Sequence, residues 1–255
     1  MTTLESLLRR DFKLVDKRDE LHTVLGWVKG DSDKLPLVMD GDKPYGVISE
    51  RTLMTRRLDP NSHIENYTVT TRALPLDSTI EQAAARMRDM RAAHLPIEDK
   101  SGKLVGYISA LDVARAQART GQASDLALPV TMLQEKHTLG DALHHFTQEY
   151  VDYLPVTNGG GQVTGVLPRR TVLRMELNAG HSRGRKDNVG EKPRILNDAI
   201  DGFMDDSFVV VPAAASFASV LDAIEENGYA IVQDKGGRTL GVVTPETLLN
   251  STKPL

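Results

Sequence analysis

The polar residues of this chain that could do chemistry stand in one short recurring motif. Its fullest copy is a glycine, two apolar residues, a serine and an aspartate three residues later: Gly106, Ser109 and Asp112. A serine at this spacing is a typical helix N-cap, and the aspartate would then lie in the first turn, where the helix dipole stabilises a carboxylate. The motif therefore offers a fixed negative charge at a helix start, and a plain helix cap is its simplest interpretation.

Other reactive groupings are missing from the sequence. The chain has no cysteine, which excludes disulfides, thiolate metal sites and thiol catalysis. His137, His144 and His145 share one predicted helix, but adjacent residues point about 100° apart and no carboxylate stands at ligand spacing on the same face. No Ser-His-Asp grouping with a nucleophile elbow and no pair of catalytic carboxylates is visible. We therefore expect neither a metal site nor an enzyme.

The motif is the end of a longer repeat. Leu35-Pro36, Leu95-Pro96 and Leu154-Pro155 each stand ten residues ahead of a motif glycine, and the three prolines are 60 and 59 residues apart. A weaker fourth copy begins at Tyr229 and reaches Gly241. A period of this length is the signature of a repeat architecture.

Each repeat also predicts the same secondary structure. Ahead of each Leu-Pro segment, and ahead of Tyr229 in the fourth copy, apolar residues recur at i, i+3, i+4 and i+7, as on one face of a helix. The stripes are Leu21, Val24, Leu25 and Val28; Ile80, Ala83, Ala84 and Met87; Leu139, Ala142, Leu143 and Phe146; Phe217, Val220, Leu221 and Ile224. Ser78 with Glu81 predicts a capping box, and Thr138 and Ser216 predict N-caps.

Two short β-branched runs joined by an Asp/Asn/Gly turn follow each helix, and a second helix follows the motif. The unit is thus strand, helix, strand, strand, helix. The predicted domains are repeats at 1–60, 61–120, 121–178 and 196–255, with a basic, glycine-rich loop at 179–195.

Composition adds little to this picture. Charged residues make up 26% of the chain and the net charge is −4, so no global field points to nucleic acid or to a membrane surface. No apolar run approaches the ~18 residues of a membrane span, and the N-terminus lacks the apolar core of a signal peptide. Together with the lack of cysteine, this predicts a cytoplasmic protein.

These four copies resemble the cystathionine β-synthase (CBS) domain, with its Leu-Pro-Val-like strand and Gly-h-h-Ser/Thr-x-x-Asp signature. The resemblance covers nearly the whole chain, from about Arg10 to Asn250. It implies an α+β fold of four tandem β-α-β-β-α repeats paired into two Bateman modules. The arrangement is similar to the nucleotide-sensing γ subunit of AMP-activated kinase and to stand-alone prokaryotic CBS proteins.

The resemblance also implies a ligand. Family members bind adenosine-containing ligands between paired repeats: the motif aspartate accepts hydrogen bonds from both ribose hydroxyls, and the helix start faces phosphate. Only the second repeat has the full set of Gly106, Ser109 and Asp112, and Ile108, directly before the serine, is also expected at the ligand. The aspartate position holds threonine in the other repeats, at Thr52, Thr171 and Thr247.

By the same resemblance, further residues complete the site. His94 occupies a place where the family often directs Arg or His at phosphate, and Pro96 follows it. The adenine would lie against two strand entries. The matching residues are Asp11, Phe12 and Lys13, then Leu35 and Pro36.

The sequence thus predicts a regulatory protein that binds AMP, ADP, ATP or S-adenosylmethionine and has no obligatory cofactor. A regulated protein would be its partner; a homodimer is feasible. Two alternatives stay open. One is a ligand-free CBS scaffold for protein–protein interaction; the other is nucleic-acid binding through the basic loop at 180–194.

Overall fold

A computed structural model describes residues 3–29, 36–90, 92–117, 120–149, 151–181 and 194–250. Within these ranges the chain forms four units with the predicted order of strand, helix, strand, strand, helix. The first unit contains β1 (Lys13–Asp16), α1 (His22–Lys29), β2 (Pro36–Asp40), β3 (Lys43–Ile48) and α2 (Glu50–Thr55). The second contains β5 (Leu74–Pro75), α3 (Ile80–Met90), β6 (His94–Glu98), β7 (Leu104–Ser109) and α4 (Ala110–Ala116), preceded by β4 (Thr68–Thr70).

The third and fourth units repeat this order. The third contains β8 (Leu133–Gln134), α6 (Leu139–Gln148), β9 (Tyr153–Thr157), β10 (Val163–Pro168) and α7 (Arg169–His181), preceded by α5 (Ala123–Leu126). The fourth contains β11 (Val210–Pro212), α8 (Phe217–Asn227), β12 (Ala230–Gln233), β13 (Thr239–Val243) and α9 (Pro245–Asn250). The predicted α+β fold of paired repeats is confirmed.

Every unit builds the same small sheet. Its first strand runs parallel to the second, which pairs antiparallel with the third: β1-β2-β3, β5-β6-β7, β8-β9-β10 and β11-β12-β13. A parallel pair needs a crossover, and the first helix of each unit provides it. The hairpin turns carry the predicted glycines in the left-handed region, with φ between 60° and 80° at Gly41, Gly102, Gly161 and Gly237.

The apolar stripes of the first helices form the core, as predicted. Ala83, Ala84 and Met87 of α3 are at most 1% exposed, and Ile80 is half-buried. The other stripes are buried except for Val28 and Leu143, which are half-buried. Thr138 and Ser216 are N-caps, as expected. The capping box predicted at Ser78 and Glu81 is wrong by one residue. The reciprocal bonds instead join Thr79 and Gln82, at 2.9 and 3.2 Å, because α3 begins at Ile80.

Repeats pair through the motif glycine. A segment ahead of one repeat crosses the third strand of its neighbour immediately after that glycine. Repeats one and two exchange such segments: Val69 pairs with Val47, and Arg9 with Tyr107. Repeats three and four do the same, with Asp205 opposite Val166 and Leu128 opposite Val242. A Cβ on any of the four glycines would lie 2.2–2.9 Å from a carbonyl oxygen of the crossing segment, so only glycine fits.

Helices join the two modules. One core packs helices of repeats one and three together, with Leu53 of α2 against Phe146 of α6 among its members. A second core packs helices of repeats two and four, including Val113 of α4 and Leu248 of α9. The two modules therefore face each other through helices within a single chain.

Two further predictions concern the loop at 179–195 and membrane-spanning helices. Helix α7 continues to His181, and a 3₁₀ helix begins at Arg194, so both ends of the predicted loop 179–195 are helical. Residues 182–193 lie outside the described residues. Among the described helices, none is long and apolar enough to cross a membrane.

The crossing at Gly46 gives a first prediction. A Cβ there would lie 2.3 Å from the Val69 carbonyl oxygen, and a backbone atom cannot move aside cheaply. Gly46→Ala should lower the unfolding free energy by about 1–3 kcal/mol in urea titration. Gly26→Ala is the matched control, because a Cβ in helix α1 meets nothing within 4 Å and should stabilise by about 0.5–1 kcal/mol. Equal effects of the two changes would show that the crossing is not a tight constraint.

Candidate functional site

The second repeat's motif is assembled where β7 turns into α4. Ser109 caps the helix: its hydroxyl accepts from the Asp112 amide at 3.1 Å and donates to the Asp112 carboxylate at 2.6 Å. This reciprocal contact fixes the carboxylate at the junction of repeats one and two. The predicted N-cap role of Ser109 is confirmed.

Arg9 holds the same carboxylate from the other side of the junction. Its Nε and Nη2 lie 2.7 and 2.8 Å from the two oxygens of Asp112, in a bidentate ion pair. Burial raises the pKa of Asp112, but the hydrogen bonds from Arg9 and Ser109 outweigh it, and the pKa lies below its ordinary value. The carboxylate is therefore charged at neutral pH. The Asp112 side chain is 15% exposed and that of Arg9 is 46% exposed.

The crossing segment places Arg9 there. Its N–H donates to the Tyr107 carbonyl at 2.8 Å, and its carbonyl accepts from the Tyr107 N–H at 3.0 Å. Upstream, Leu4 is 1% exposed in the core of repeats two and four, which anchors the segment. We call the junction between this segment and the start of α4, where Arg9 meets Asp112, the Asp112 cleft.

Aromatic rings form one wall of the Asp112 cleft. The Tyr107 ring lies 6.2 Å from that of Phe12 and 5.3 Å from that of His94, measured between centroids. The Tyr107 hydroxyl donates to Asp11 at 3.0 Å, and burial together with this bond raises the pKa of Tyr107 to about 12. Tyr107 is thus a neutral hydrogen-bond donor fixed between the two repeats.

His94 is brought to the cleft by strand register, because it stands opposite Ser109 in the β6–β7 pair. Burial, and then the charge of Arg9, lower the pKa of His94 to about 4, so the ring is neutral at pH 7. Its Nδ1 is buried and has no hydrogen-bond partner within the described part of the chain. An unsatisfied buried polar atom is costly, and a bound ligand could supply its partner.

The remaining predicted residues have different surroundings. Ile108 is 0% exposed within the core of repeats two and four, which leaves only its backbone for a ligand. Pro96 is buried opposite Tyr107. Lys13 pairs with Pro36 in the parallel register, but its Nζ lies 4.6 Å from the Trp27 ring centroid, in a cation–π contact. Leu35 lies outside the described residues.

Arg9 and Tyr107 were not predicted as site residues. Arg9 and Asp112 are 103 positions apart, and no local pattern links them. A usable signal lies in the repeats themselves. The crossing positions equivalent to Arg9 are Val69, Leu128 and Asp205, so a cationic residue occurs at this position only opposite the repeat that keeps its aspartate.

Two of the threonines at the aspartate position, Thr52 and Thr247, bond within their own helix starts. The Thr52 hydroxyl lies 2.7 Å from that of Ser49, and the Thr247 hydroxyl bonds the Thr244 amide and carbonyl at 2.9 and 3.1 Å. These hydroxyls already have local partners and carry no charge. The second repeat's motif therefore stays the preferred ligand site, because it has a charged acceptor where the other repeats have threonine.

An open groove of about 370 Å³ lies beside the cleft, on the border of repeats one and two. Phe12 lines it together with apolar side chains from both repeats, among them Leu14, Met39 and Leu104. Four charged residues also line it, namely Asp16, Asp19, Asp42 and Lys103. Phe12 therefore belongs to both the aromatic wall and this groove.

A second charged junction joins repeats one, three and four at the starts of three helices. Glu50 of α2 lies 3.6 and 3.7 Å from the guanidinium groups of Arg169 and Arg170, and Arg169 also pairs with Asp152. Glu246 of α9 accepts a hydrogen bond from Thr244 at 2.8 Å. Sequence reasoning missed this junction, because its members come from different repeats.

Glu246 has the most perturbed carboxyl in this junction. Burial, and then the charge of Asp152, raise its pKa from 4.5 to about 7. In the described residues, no cluster of three metal-ligating side chains occurs here or elsewhere.

Glu246 supplies a pH prediction. Because its folded pKa lies above the unfolded value, its contribution to stability is full below about pH 4.5 and lost as the pH rises through about 7. Glu246→Gln mimics the neutral acid, so the variant does not lose stability through ionisation of this side chain as the pH rises. The unfolding free energy of the variant, relative to the native chain, should therefore grow between pH 5 and pH 8, by up to about 3 kcal/mol.

The exposed Glu226 of α8 gives the matched control, Glu226→Gln. Urea titrations of the three proteins at several pH values check the prediction. A Glu246→Gln effect that does not change with pH would contradict it.

Comparison with known proteins gives the family. The CBS domain model matches residues 69–119, 123–178 and 199–252, which correspond to the second, third and fourth repeats. Two solved structures share the fold over 98% of this chain and 99% of theirs. One is a Methanocaldococcus jannaschii protein proposed as an archaeal homologue of g-AMPK, with TM-score 0.80 and 14% identity. The other is an uncharacterized conserved protein from Pyrococcus horikoshii, with TM-score 0.65 and 16% identity.

Curated relatives match a smaller part. Inosine-5'-monophosphate dehydrogenases of Mycobacterium bovis and Mycobacterium tuberculosis are 28% identical over 135 residues, which is 52% of this chain and 24% of theirs. The chain thus spans about a quarter of the length of these relatives.

Proposed function

The chain belongs to the CBS domain family, and from this premise we propose that it is a regulatory protein that senses an adenosine-containing ligand in the Asp112 cleft. AMP, ADP, ATP and S-adenosylmethionine all carry the required nucleoside. The role is regulatory, not catalytic, and the site of action is the cytoplasm. The partner that responds is a regulated protein or a second copy of the chain.

One observation carries the proposal: a charged carboxylate is fixed at the junction of two repeats. Asp112 has a lowered pKa and directs both oxygens to groups across the junction. A pair of vicinal hydroxyls is a suitable partner for two carboxylate oxygens, and hydrogen bonds to a charged acceptor are the stronger kind. The ribose of a nucleoside offers such a pair.

The surroundings of Asp112 suit the rest of a nucleoside. Phe12 and Tyr107 offer aromatic surface for a planar base, and the groove beside Phe12 extends that surface. The buried Nδ1 of His94 would gain the hydrogen-bond partner that it lacks among the described residues. Such convergence of apolar walls and few polar groups is common in ligand sites.

Binding there would touch two repeats at once. Arg9, Asp11 and Phe12 precede the first repeat's core, whereas His94 and Asp112 belong to the second. A ligand that fits one relative arrangement of the repeats better than another shifts the population between them. A tenfold shift needs only about 1.4 kcal/mol of differential affinity.

Asp112→Ala tests the site. The variant should lose most of its affinity for AMP and ATP, at least tenfold, because the two ribose hydroxyls lose their charged acceptor. Isothermal titration calorimetry measures the affinity, and the circular dichroism spectrum should stay that of the native chain. Asp89→Ala, an exposed carboxylate on α3 of the same repeat, is the matched control and should bind normally. Unchanged binding by Asp112→Ala would place the ligand in another cleft.

A ligand-free scaffold is the rival, and the closed Arg9–Asp112 pair is the observation that favours it. An ion pair that satisfies itself needs no ligand. The two functions are separated by thermal unfolding with AMP, ATP and S-adenosylmethionine at concentrations far above ordinary dissociation constants. Ligand sensing predicts a higher melting temperature with at least one of them, since a ligand that binds the folded state stabilises it. No shift with any of the three would favour the scaffold.

A further inference from the structure

The group that the Asp112 carboxylate binds in the structure comes from the chain itself. The guanidinium of Arg9 takes both carboxylate oxygens, at 2.7 and 2.8 Å, and the Ser109 hydroxyl takes one of them as well, at 2.6 Å. Two vicinal hydroxyls would need the same two oxygens. We propose that Arg9 is an internal competitor of the ligand's ribose, and that it sets the affinity of the Asp112 cleft by having to leave before the sugar is bound. This inference rests on the proposed function.

The geometry lets the side chain leave while the backbone stays. Both backbone hydrogen bonds between Arg9 and Tyr107 hold the crossing segment in place, and Leu4 anchors it further upstream. The Arg9 side chain is 46% exposed, so its guanidinium can turn into water without breaking the strand pair. The Asp112 side chain is only 15% exposed and stays where Ser109 holds it.

The guanidinium and the ribose diol offer the Asp112 carboxylate the same number of hydrogen bonds. Arginine gives two charge-assisted hydrogen bonds in a planar fork, and a vicinal diol gives two hydrogen bonds from two adjacent oxygens. The ligand must therefore replace what it displaces. A compound without the two hydroxyls cannot replace the guanidinium, and it would bind with the ion pair intact or not at all.

The repeats provide an internal comparison. At the positions equivalent to Arg9 the other crossings have Val69, Leu128 and Asp205, and the positions equivalent to Asp112 have threonine. The competitor is thus present only where the acceptor is present. A general structural role of the crossing residue would not require this match, because the same backbone pairing forms with valine, leucine and aspartate.

Arg9→Ala tests the competition with adenosine as the probe, since adenosine has the diol but no phosphate whose attraction to arginine would confuse the result. The variant should bind adenosine roughly tenfold more tightly than the native chain in calorimetric titration, because a partly exposed ion pair no longer has to be broken. Arg10→Ala is the matched control. It removes the same charge from the next, exposed residue and should leave the affinity unchanged.

A second probe isolates the hydroxyls. The affinity of 2',3'-dideoxyadenosine should be the same for the native chain and Arg9→Ala, because this compound does not compete for Asp112. Arg9→Ala combined with Asp112→Ala should lose the gain for adenosine. Equal tightening for both compounds would show that Arg9 merely blocks the cleft sterically and would overturn the competition.

The outcomes separate the two proposals. If Asp112→Ala abolishes adenosine binding but Arg9→Ala leaves it unchanged, the ligand site stands and the competitor role of Arg9 is wrong. If neither the native chain nor Arg9→Ala binds adenosine, AMP, ATP or S-adenosylmethionine, both proposals fail. Arg9→Ala removes the ion pair and can therefore unfold at a lower temperature than the native chain. Tighter adenosine binding by this less stable variant still supports the competition.

Discussion

The architecture depends on a backbone crossing that only glycine permits. In all four repeats the segment ahead of the partner repeat passes so close to the motif glycine that a Cβ would lie 2.2–2.9 Å from its carbonyl oxygen. The crossing pairs repeat one with two and three with four, and it leaves the helices free to join the modules. It also decides which side chain lies opposite the start of each second helix. Arg9 and Asp112 meet because of it.

Charge balance at the junctions follows from this arrangement. In the Asp112 cleft a carboxylate is kept ionised by a guanidinium from the neighbouring repeat, and the pair stays partly open to water. At the junction of repeats one, three and four, several carboxyls share two arginines, and burial raises the pKa of Glu246 to about 7. Removing charge from water is costly unless it is paired. We propose that the first junction exchanges its partner for a ligand, whereas the second ties the two modules together.

Much of the fold could be predicted because its signals are local and repeated. Helical stripes such as that of α3, the caps Thr138 and Ser216, and the hairpin glycines each follow from residues within one turn or one hairpin. The capping box of α3 was misplaced by one residue, since Ser78-x-x-Glu81 and Thr79-x-x-Gln82 satisfy the same pattern. Sequence alone does not decide which of two overlapping caps forms.

The site could be predicted only in part, because its members are distant in the chain. Ser109 and Asp112 share one motif, and strand register brings His94 opposite Ser109. Arg9 enters with the crossing segment, for which no local pattern exists. Tyr107 stands within the motif, but its contact with Asp11 depends on the same crossing. Lys13 was expected at the ligand, but its charge lies over Trp27 in the structure. Pairing between repeats is a property of the assembled fold and not of one repeat.

A crystal structure of the chain grown with AMP tests the central claim most directly. We expect nucleotide density between the crossing segment and the start of α4, with both ribose hydroxyls on the Asp112 carboxylate and the Arg9 guanidinium turned away from it. Nucleotide bound in a different cleft, with the Arg9–Asp112 pair unbroken, would contradict ligand binding at Asp112.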